Sequence, residues 1–194
     1  MLSVVIPTRN DERALVPTLA MLVPGVVAGA VRDVIVADGG STDATADVVE
    51  FAGCTLMSSS EPLGSRLKQA AAAARSTWLM FLRPGAILDP TWIAETVRFI
   101  EDEAMRPNGD GQAAVFRRSP AAGARSVVAD VAAVLSSALR APSPEQGLVI
   151  ARAFYQRLGG HRDESAPEAA LLRRLGRRRI ARLRSEIRLP VNGG

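Results

Sequence analysis

Hydrophobic and polar positions alternate along this chain in blocks that read as strands and helices in turn. Ser3-Val4-Val5-Ile6-Pro7 is an apolar run of strand length, and the polar stretch Thr8 to Glu12 follows it. Ala14 to Leu22 carries helical spacing and Pro24-Gly25 marks its stop, with Pro17 tolerable near the start. Asp33 to Ala37 is the second apolar run and ends at Asp38. Gly39-Gly40 then allows a tight turn, and Ser41 or Thr42 is placed to cap the helix expected over Asp43 to Ala52. Thr55 to Ser58 reads as a strand, Ser65 to Ala74 as an Ala-rich helix, and Trp78 to Leu82 as a fully apolar strand closed by Arg83-Pro84-Gly85. Pro90 opens a helix to Glu103, Met105 to Gly111 is a polar loop, and Ala113 to Phe116 is a strand. Gly123 to Leu139 is weakly amphipathic and helical in spacing, and Ala141-Pro142-Ser143-Pro144 breaks it. Strand Gly147 to Ile150, helix Ala151 to Leu158, loop Gly159 to Glu164, helix Glu168 to Leu175 and a short strand Arg179 to Leu183 complete the pattern, with a loose tail at the end.

Strands alternating with helices of 8–15 residues predict an α/β fold, a mostly parallel sheet flanked by helices with right-handed crossovers. At 194 residues a single domain over 1–194 is expected. Asp38 and its glycine turn fall at the carboxyl end of a strand, where open α/β sheets bind ligands. Neither a Walker loop nor a G-x-G-x-x-G motif is present, so the turn is not a standard phosphate-binding fingerprint.

Composition narrows the chemistry. Aromatic residues make up 4%, which argues against base-stacking platforms, and no nucleic-acid partner is expected. One Cys and one His exclude a disulfide framework and a Cys- or His-rich metal site, and Cys54 reads as a small buried hydrophobe. Of the 24 basic residues 23 are Arg and one is Lys68, a skew read first as genome composition bias. Leu171 to Gly194 holds eight Arg against Glu186, a net +7, while the preceding residues net −3. Such a basic tail either lies on a solvated helix face followed by a strand or touches anionic lipid or nucleic acid. Met1 leads directly into an apolar strand with no basic leader, so no signal peptide is expected. Ala14 to Val31 lacks charge but is interrupted by Pro17, Pro24, Gly25 and Gly29, a broken core helix rather than a membrane span. The expected location is cytoplasmic, with peripheral contact to the inner membrane through the tail.

Three segments in order resemble the inverting, GT-A-fold glycosyltransferases of family 2. These are Val4 to Glu12, Val34 to Thr45 and Gly64 to Leu82; Gly147 to Leu175, with its Leu-Gly-Gly turn, is a fourth and looser match. The resemblance implies a bacterial-type GT-A-like domain, with 1–105 as the nucleotide-binding half and 106–194 as the acceptor-side half. It implies a nucleotide-sugar donor, a UDP-sugar foremost, and an acceptor of unknown identity. Carried over by position, Pro7, Thr8, Asn10 and Glu12 match the loop that holds base and ribose. Asp38, with Gly39 and Gly40, matches the acid that meets the pyrimidine ring, and Arg66 matches a basic residue beside the nucleotide. Glu168 matches the catalytic base, and His161 stands where it could meet acceptor or phosphate. Read from the residues alone, Asp38 and Glu168 could equally serve as helix-start acids, and Arg66 could pair with a surface acid.

The chain departs from the family at Arg83-Pro84-Gly85, where relatives carry Asp-x-Asp to hold Mn²⁺ or Mg²⁺ on the diphosphate. Without those carboxylates no metal ligand is assigned, and Asp89 is better placed as a helix cap beside Pro90. Arg83 could set its guanidinium on the diphosphate in place of the metal. The expected function is therefore inverting glycosyl transfer with a degenerate metal motif, the alternative being a non-catalytic relative that binds a nucleotide or a protein partner.

Overall fold

The computed structural model describes residues 1–106, 111–119 and 141–189. One eight-stranded mixed sheet organises them, with helices on both faces. The elements are β1 (Leu2–Thr8), α1 (Glu12–Val27), β2 (Val31–Asp38), α2 (Thr45–Phe51), β3 (Thr55–Ser58), α3 (Leu63–Ala73), β4 (Trp78–Phe81), β5 (Ile87–Leu88), α4 (Trp92–Ala104), β6 (Ala113–Arg118), β7 (Leu148–Ala151), α5 (Arg152–Arg157), α6 (Pro167–Leu175) and β8 (Ile180–Arg188). Strand order is β3-β2-β1-β4-β7-β6-β8-β5. The β3-β2-β1-β4 half is wholly parallel; β7 then runs antiparallel to both β4 and β6.

Alternation along the strands divides the core. Leu2, Val4, Ile6 and Met80 pack on the face covered by α1 and α4, around Trp92. Val5, Ile35, Leu79 and Phe81 pack on the other face against α3, α5 and α6. The apolar runs of β1, β2 and β4 are buried on both faces because helices cover both, which is why they read as continuous rather than alternating.

Several expectations need correction. Pro24 and Gly25 do not stop α1, which continues to Val27. Pro24 lies on the exposed side in the last turns, so its ring meets solvent, while Gly25 is buried where an added Cβ would come 2.7 Å from the Trp92 ring. Ser41 and Thr42 do not cap α2; its N-cap is Ala44, with no side-chain cap, and Asp43 instead accepts from the Thr45 N–H. Asp89 is not the N-cap of α4 either. It accepts from the Thr91 N–H at 2.8 Å and from the Glu186 N–H, tying the helix start to β8. Within the described residues, the chain after Leu183 is not loose. Residues 180–188 form a nine-residue strand that pairs with β6 and β5, with Leu183, Ser185 and Ile187 buried and Arg182, Arg184 and Arg188 exposed. Cys54 is half-buried rather than buried, on the rim of an apolar groove. The helix expected over Gly123 to Leu139 lies outside the described residues. No helix among the described residues is long and apolar enough to cross a membrane.

Candidate functional site

The carboxyl ends of β1, β2, β3 and β4 form one edge of the sheet, and the sequence-predicted residues gather there. Asp38 ends β2 opposite Thr8 of β1 and Ser58 of β3. It is 4% exposed, and its carboxylate is surrounded by donors. Oδ2 accepts from the Gly40 N–H at 3.0 Å, the Ser41 N–H at 3.0 Å and the Ser58 hydroxyl at 3.2 Å. Oδ1 accepts from the Ser41 hydroxyl at 2.5 Å and the Thr8 hydroxyl at 3.3 Å. Five donor groups meet a carboxylate with about four lone-pair sites, so the turn itself consumes its capacity. Burial pushes the carboxyl up, but the bonds from Ser41, Gly40 and Ser58 together outweigh it and hold Asp38 below its ordinary value. Gly40 takes φ +81°, which lets its N–H turn back onto Asp38.

The Asp38 turn is fastened to the loop after β1. The Asn10 N–H donates to the Ser41 hydroxyl at 2.8 Å, and the Thr42 N–H donates to Asn10 Oδ1 at 2.8 Å. The Asp11 N–H donates to Thr45 Oγ1 at 3.2 Å, and the Glu12 N–H to Asp43 Oδ2 at 3.1 Å. These bonds satisfy backbone donors at the start of α1 and fix Asn10 at φ +57°. Pro7 sits in β1 opposite Ala37 and sets the direction of the loop.

Arg66 approaches from α3. Its Nη1 donates to the Ala37 carbonyl at 2.6 Å and the Thr8 carbonyl at 3.3 Å, and its Nε to the Glu61 carbonyl at 3.2 Å. The guanidinium lies against Gly39, where an added Cβ would stand 3.0 Å from Cζ, Nη1 and Nη2. Desolvation lowers its pKa against the pull of Asp38. Arg66 thus closes the ends of β1 and β2, and none of these bonds points to a surface acid.

Beyond β4 the structure brings together two residues 85 positions apart. Arg83 Nη2 meets Glu168 Oε2 at 2.5 Å and Nε meets Oε1 at 3.2 Å, a bidentate pair. The Glu168 side chain is 14% exposed and that of Arg83 41%. The bonds to Glu168 outweigh burial and raise the Arg83 pKa. The Arg83-Pro84-Gly85 turn is held by the Gly85 N–H on the Ala14 carbonyl at 2.9 Å. Glu168 also lines a void of about 10 Å³ with Phe81, Pro144, Leu148, His161 and Leu172, near the smallest space that holds one water.

His161 is 2% exposed and packs edge-on against Phe81, with centroids 4.8 Å apart. The Tyr155 hydroxyl accepts from the His161 backbone N–H at 3.0 Å and is hydrogen-bonded to the ring Nδ1 at 2.9 Å, donating or accepting there according to the tautomer. Desolvation, with Arg174 nearby, lowers the His161 pKa to about 3, and burial pushes Tyr155 up to about 12. Sequence reasoning missed Ser41, Asp43, Thr45, Ser58, Tyr155 and Arg174. The first three were signalled by a Ser-Thr-Asp-x-Thr run in a turn opposite an Asn-Asp-Glu loop; Tyr155 and Arg174 carried no signal.

No group of three or more His, Cys, Asp or Glu among the described residues could hold a metal ion. Glu168, the carboxylate that meets the Arg83-Pro84-Gly85 turn, is bound to a cation. The donor set at the end of β4 therefore does not fit Mn²⁺ or Mg²⁺. A groove of about 730 Å³ between α1, α2 and the start of β2 is apolar and opens at the opposite end of β2 from Asp38.

The family model for glycosyl transferase family 2 matches residues 3–115, more than half of the chain and all of the β1 to β4 edge. The chain belongs to glycosyl transferase family 2. Glycosyl transfer from a nucleotide sugar is the activity class of that family. No curated protein matches the sequence. Among solved structures, glucosyl-3-phosphoglycerate synthase from Mycobacterium tuberculosis, in complex with Mn²⁺, UDP and glucosyl-3-phosphoglycerate, superposes with a TM-score of 0.69 at 22% identity, over 99% of this chain and 72% of that one. S. aureus TarS 1-349 in complex with UDP gives a TM-score of 0.69 at 16% identity, over 95% of this chain and 59% of that one. At these identities the likeness is one of fold: a GT-A-type α/β domain.

Proposed function

We propose that this protein transfers a glycosyl group from a nucleotide sugar to an acceptor hydroxyl with inversion, and that the donor is a UDP-sugar. The observation that carries the reading is the cradle at the ends of β1 and β2, where residues 8–12 and 38–45 are bonded to each other across about 30 positions of sequence. It is a preformed polar cleft at the carboxyl edge of a parallel sheet, within the segment that the family model matches. The UDP in the M. tuberculosis and S. aureus neighbours supports the choice of base.

In this reading Pro7, Thr8, Asn10, Glu12, Gly39 and Gly40 bound the base and ribose. Asp38 and Arg66 are positioning residues that hold the cleft's shape, since their polar atoms are engaged with the chain. Arg83 meets the diphosphate and offsets the charge that develops on the leaving group. Glu168 accepts the acceptor's proton; the acceptor oxygen attacks the anomeric carbon, and the bond to the diphosphate oxygen breaks with its electron pair. Residues 1–105 carry the donor and 106–194 the acceptor side. Two observations favour a non-catalytic nucleotide binder as the second reading: the described residues lack a metal-ligand cluster, and Arg83 and Glu168 neutralise each other.

The test is thermal unfolding with UDP, GDP, CDP and dTDP, each with and without Mn²⁺, joined to UDP release from UDP-sugars. A concentration-dependent shift with UDP that does not need Mn²⁺ is expected. No shift with any nucleotide refutes the reading, and a UDP shift without UDP release from any donor and acceptor pair favours the non-catalytic one.

A further inference from the structure

Arg83 and Glu168 are each assigned a task above, yet each is engaged with the other. Glu168 holds the Nε–Nη2 edge of the guanidinium and competes with a diphosphate for it, and both Glu168 oxygens are occupied in return. We propose that the pair is a latch opened by the donor: the diphosphate takes over the Arg83 guanidinium, and Glu168 is released to accept the acceptor's proton only when donor is bound. The inference rests on the nucleotide-sugar reading of the site.

Four features support it. Arg83 follows β4, which pairs with β1, and β1 pairs with β2. The guanidinium's strand end thus stands two strand spacings from Asp38, about 10 Å, within reach of a nucleotide whose base lies in the cradle. The two partners differ in access: Arg83 is 41% exposed and can be approached by an anion from solvent, whereas Glu168, at 14%, stays in place. Arg66, the other arginine of this edge assigned to the nucleotide, is spent on the carbonyls of Thr8, Ala37 and Glu61. Finally, the surroundings suit a base once the guanidinium leaves. Glu168 then faces the void walled by Phe81, Pro144, Leu148 and Leu172, a space near the size of one water. His161 lines the same void and adds a polar ring to its wall.

The proton and electron count closes without a further reactant. The acceptor hydroxyl gives its proton to Glu168 and its oxygen to the anomeric carbon. The departing diphosphate oxygen keeps the bonding pair beside Arg83. The latch keeps the base idle in the absence of donor and replaces one anionic partner of Arg83 with another, so its charge is never left unpaired.

The experiment is equilibrium binding of UDP and of uridine to wild type, R83Q, E168Q and R83Q/E168Q, with thermal melts confirming that each variant folds. E168Q removes the competing anion and keeps the shape. It is expected to bind UDP about fivefold tighter than wild type, the worth of a partly exposed ion pair. Uridine, which has no phosphate, is expected to bind both proteins equally, and R83Q/E168Q to bind UDP no tighter than R83Q. Unchanged UDP affinity in E168Q overturns the latch while leaving the nucleotide reading intact. So does a gain that persists when R83Q/E168Q is compared with R83Q, or one that uridine shares. UDP binding by E168Q but not by wild type supports the latch. If neither binds any nucleotide, the latch and the reading beneath it fall together.

Discussion

Replacing Asp38 by Asn separates a carboxylate that builds the cradle from one that binds a ligand. The amide keeps the size of the side chain and removes the charge. Its oxygen can take the place of Oδ2 and keep the Gly40 and Ser41 N–H groups, both at 3.0 Å. Its NH₂ then faces the hydroxyls of Thr8 and Ser41, which can rotate to accept. What is lost is the charge assistance of the two backbone bonds, roughly 1 kcal/mol each, offset in part by easier burial of a neutral group. The expected destabilisation is therefore about 1–2 kcal/mol, against about 3–5 kcal/mol for Asp38→Ala, which strands several buried donors. Urea unfolding followed by circular dichroism reads both through the midpoint. Acid gives a second check. The folded carboxyl lies below its ordinary 3.8, so its contribution is complete above that pH and is lost as pH falls through the lower, folded value. The gap between wild type and Asp38→Asn should narrow below about pH 4. An Asn variant with the wild-type urea midpoint that has lost UDP binding would refute the reasoning, because the carboxylate would then serve the ligand and not the cradle.

Two further outcomes follow from packing and protonation. Gly64→Ala places a Cβ 2.2 Å from the Arg162 carbonyl oxygen, in a loop that Asp163 pins to the Ser65 N–H and hydroxyl. It is expected to cost about 3 kcal/mol or to prevent folding, and a wild-type melting curve would show that the loop yields freely. His161 in the folded chain titrates at about 3, whereas the unfolded chain takes up its proton near 6.5, so stability should decline as pH drops through that interval, by up to about 1.4 kcal/mol per unit. His161→Gln removes that slope at some cost in stability, and urea midpoints at pH 5 and 7 decide it; an equal slope in both proteins contradicts the buried neutral imidazole.

The parallel half of the sheet was legible because each of its long strands is an unbroken apolar run ending in a turn and followed by a helical pattern, which fits a sheet covered by helices on both faces. The placement of Thr8, Asp38 and Arg83 at one edge followed from the same pattern. Partnerships were not legible. Sequence shows that Asp38 ends a strand, but not that Ser41 and Ser58 consume its lone pairs, nor that Arg83 meets a glutamate 85 residues away. Such contacts depend on side-chain directions fixed only by packing. The rule that Pro-Gly stops a helix failed at Pro24 because the ring faces solvent and Gly25 is clasped by Trp92. The last strand was misjudged beyond Leu183, although Leu183, Ser185 and Ile187 alternate with charged residues to Arg188; the density of arginine hid the period.

The guanidinium of Arg66 lying on Gly39 has a consequence for descent. With Cζ, Nη1 and Nη2 all 3.0 Å from where a Cβ would stand, a side chain at position 39 would push the guanidinium aside by a few tenths of an ångström. The two positions are coupled through that contact. A lineage that gains Ala or Ser at 39 must let the flexible end of Arg66 shift, and the bonds to the carbonyls of Thr8 and Ala37 loosen with it. Relatives of this chain should accordingly favour two pairings, glycine with arginine or a larger residue with something shorter, over a larger residue with arginine.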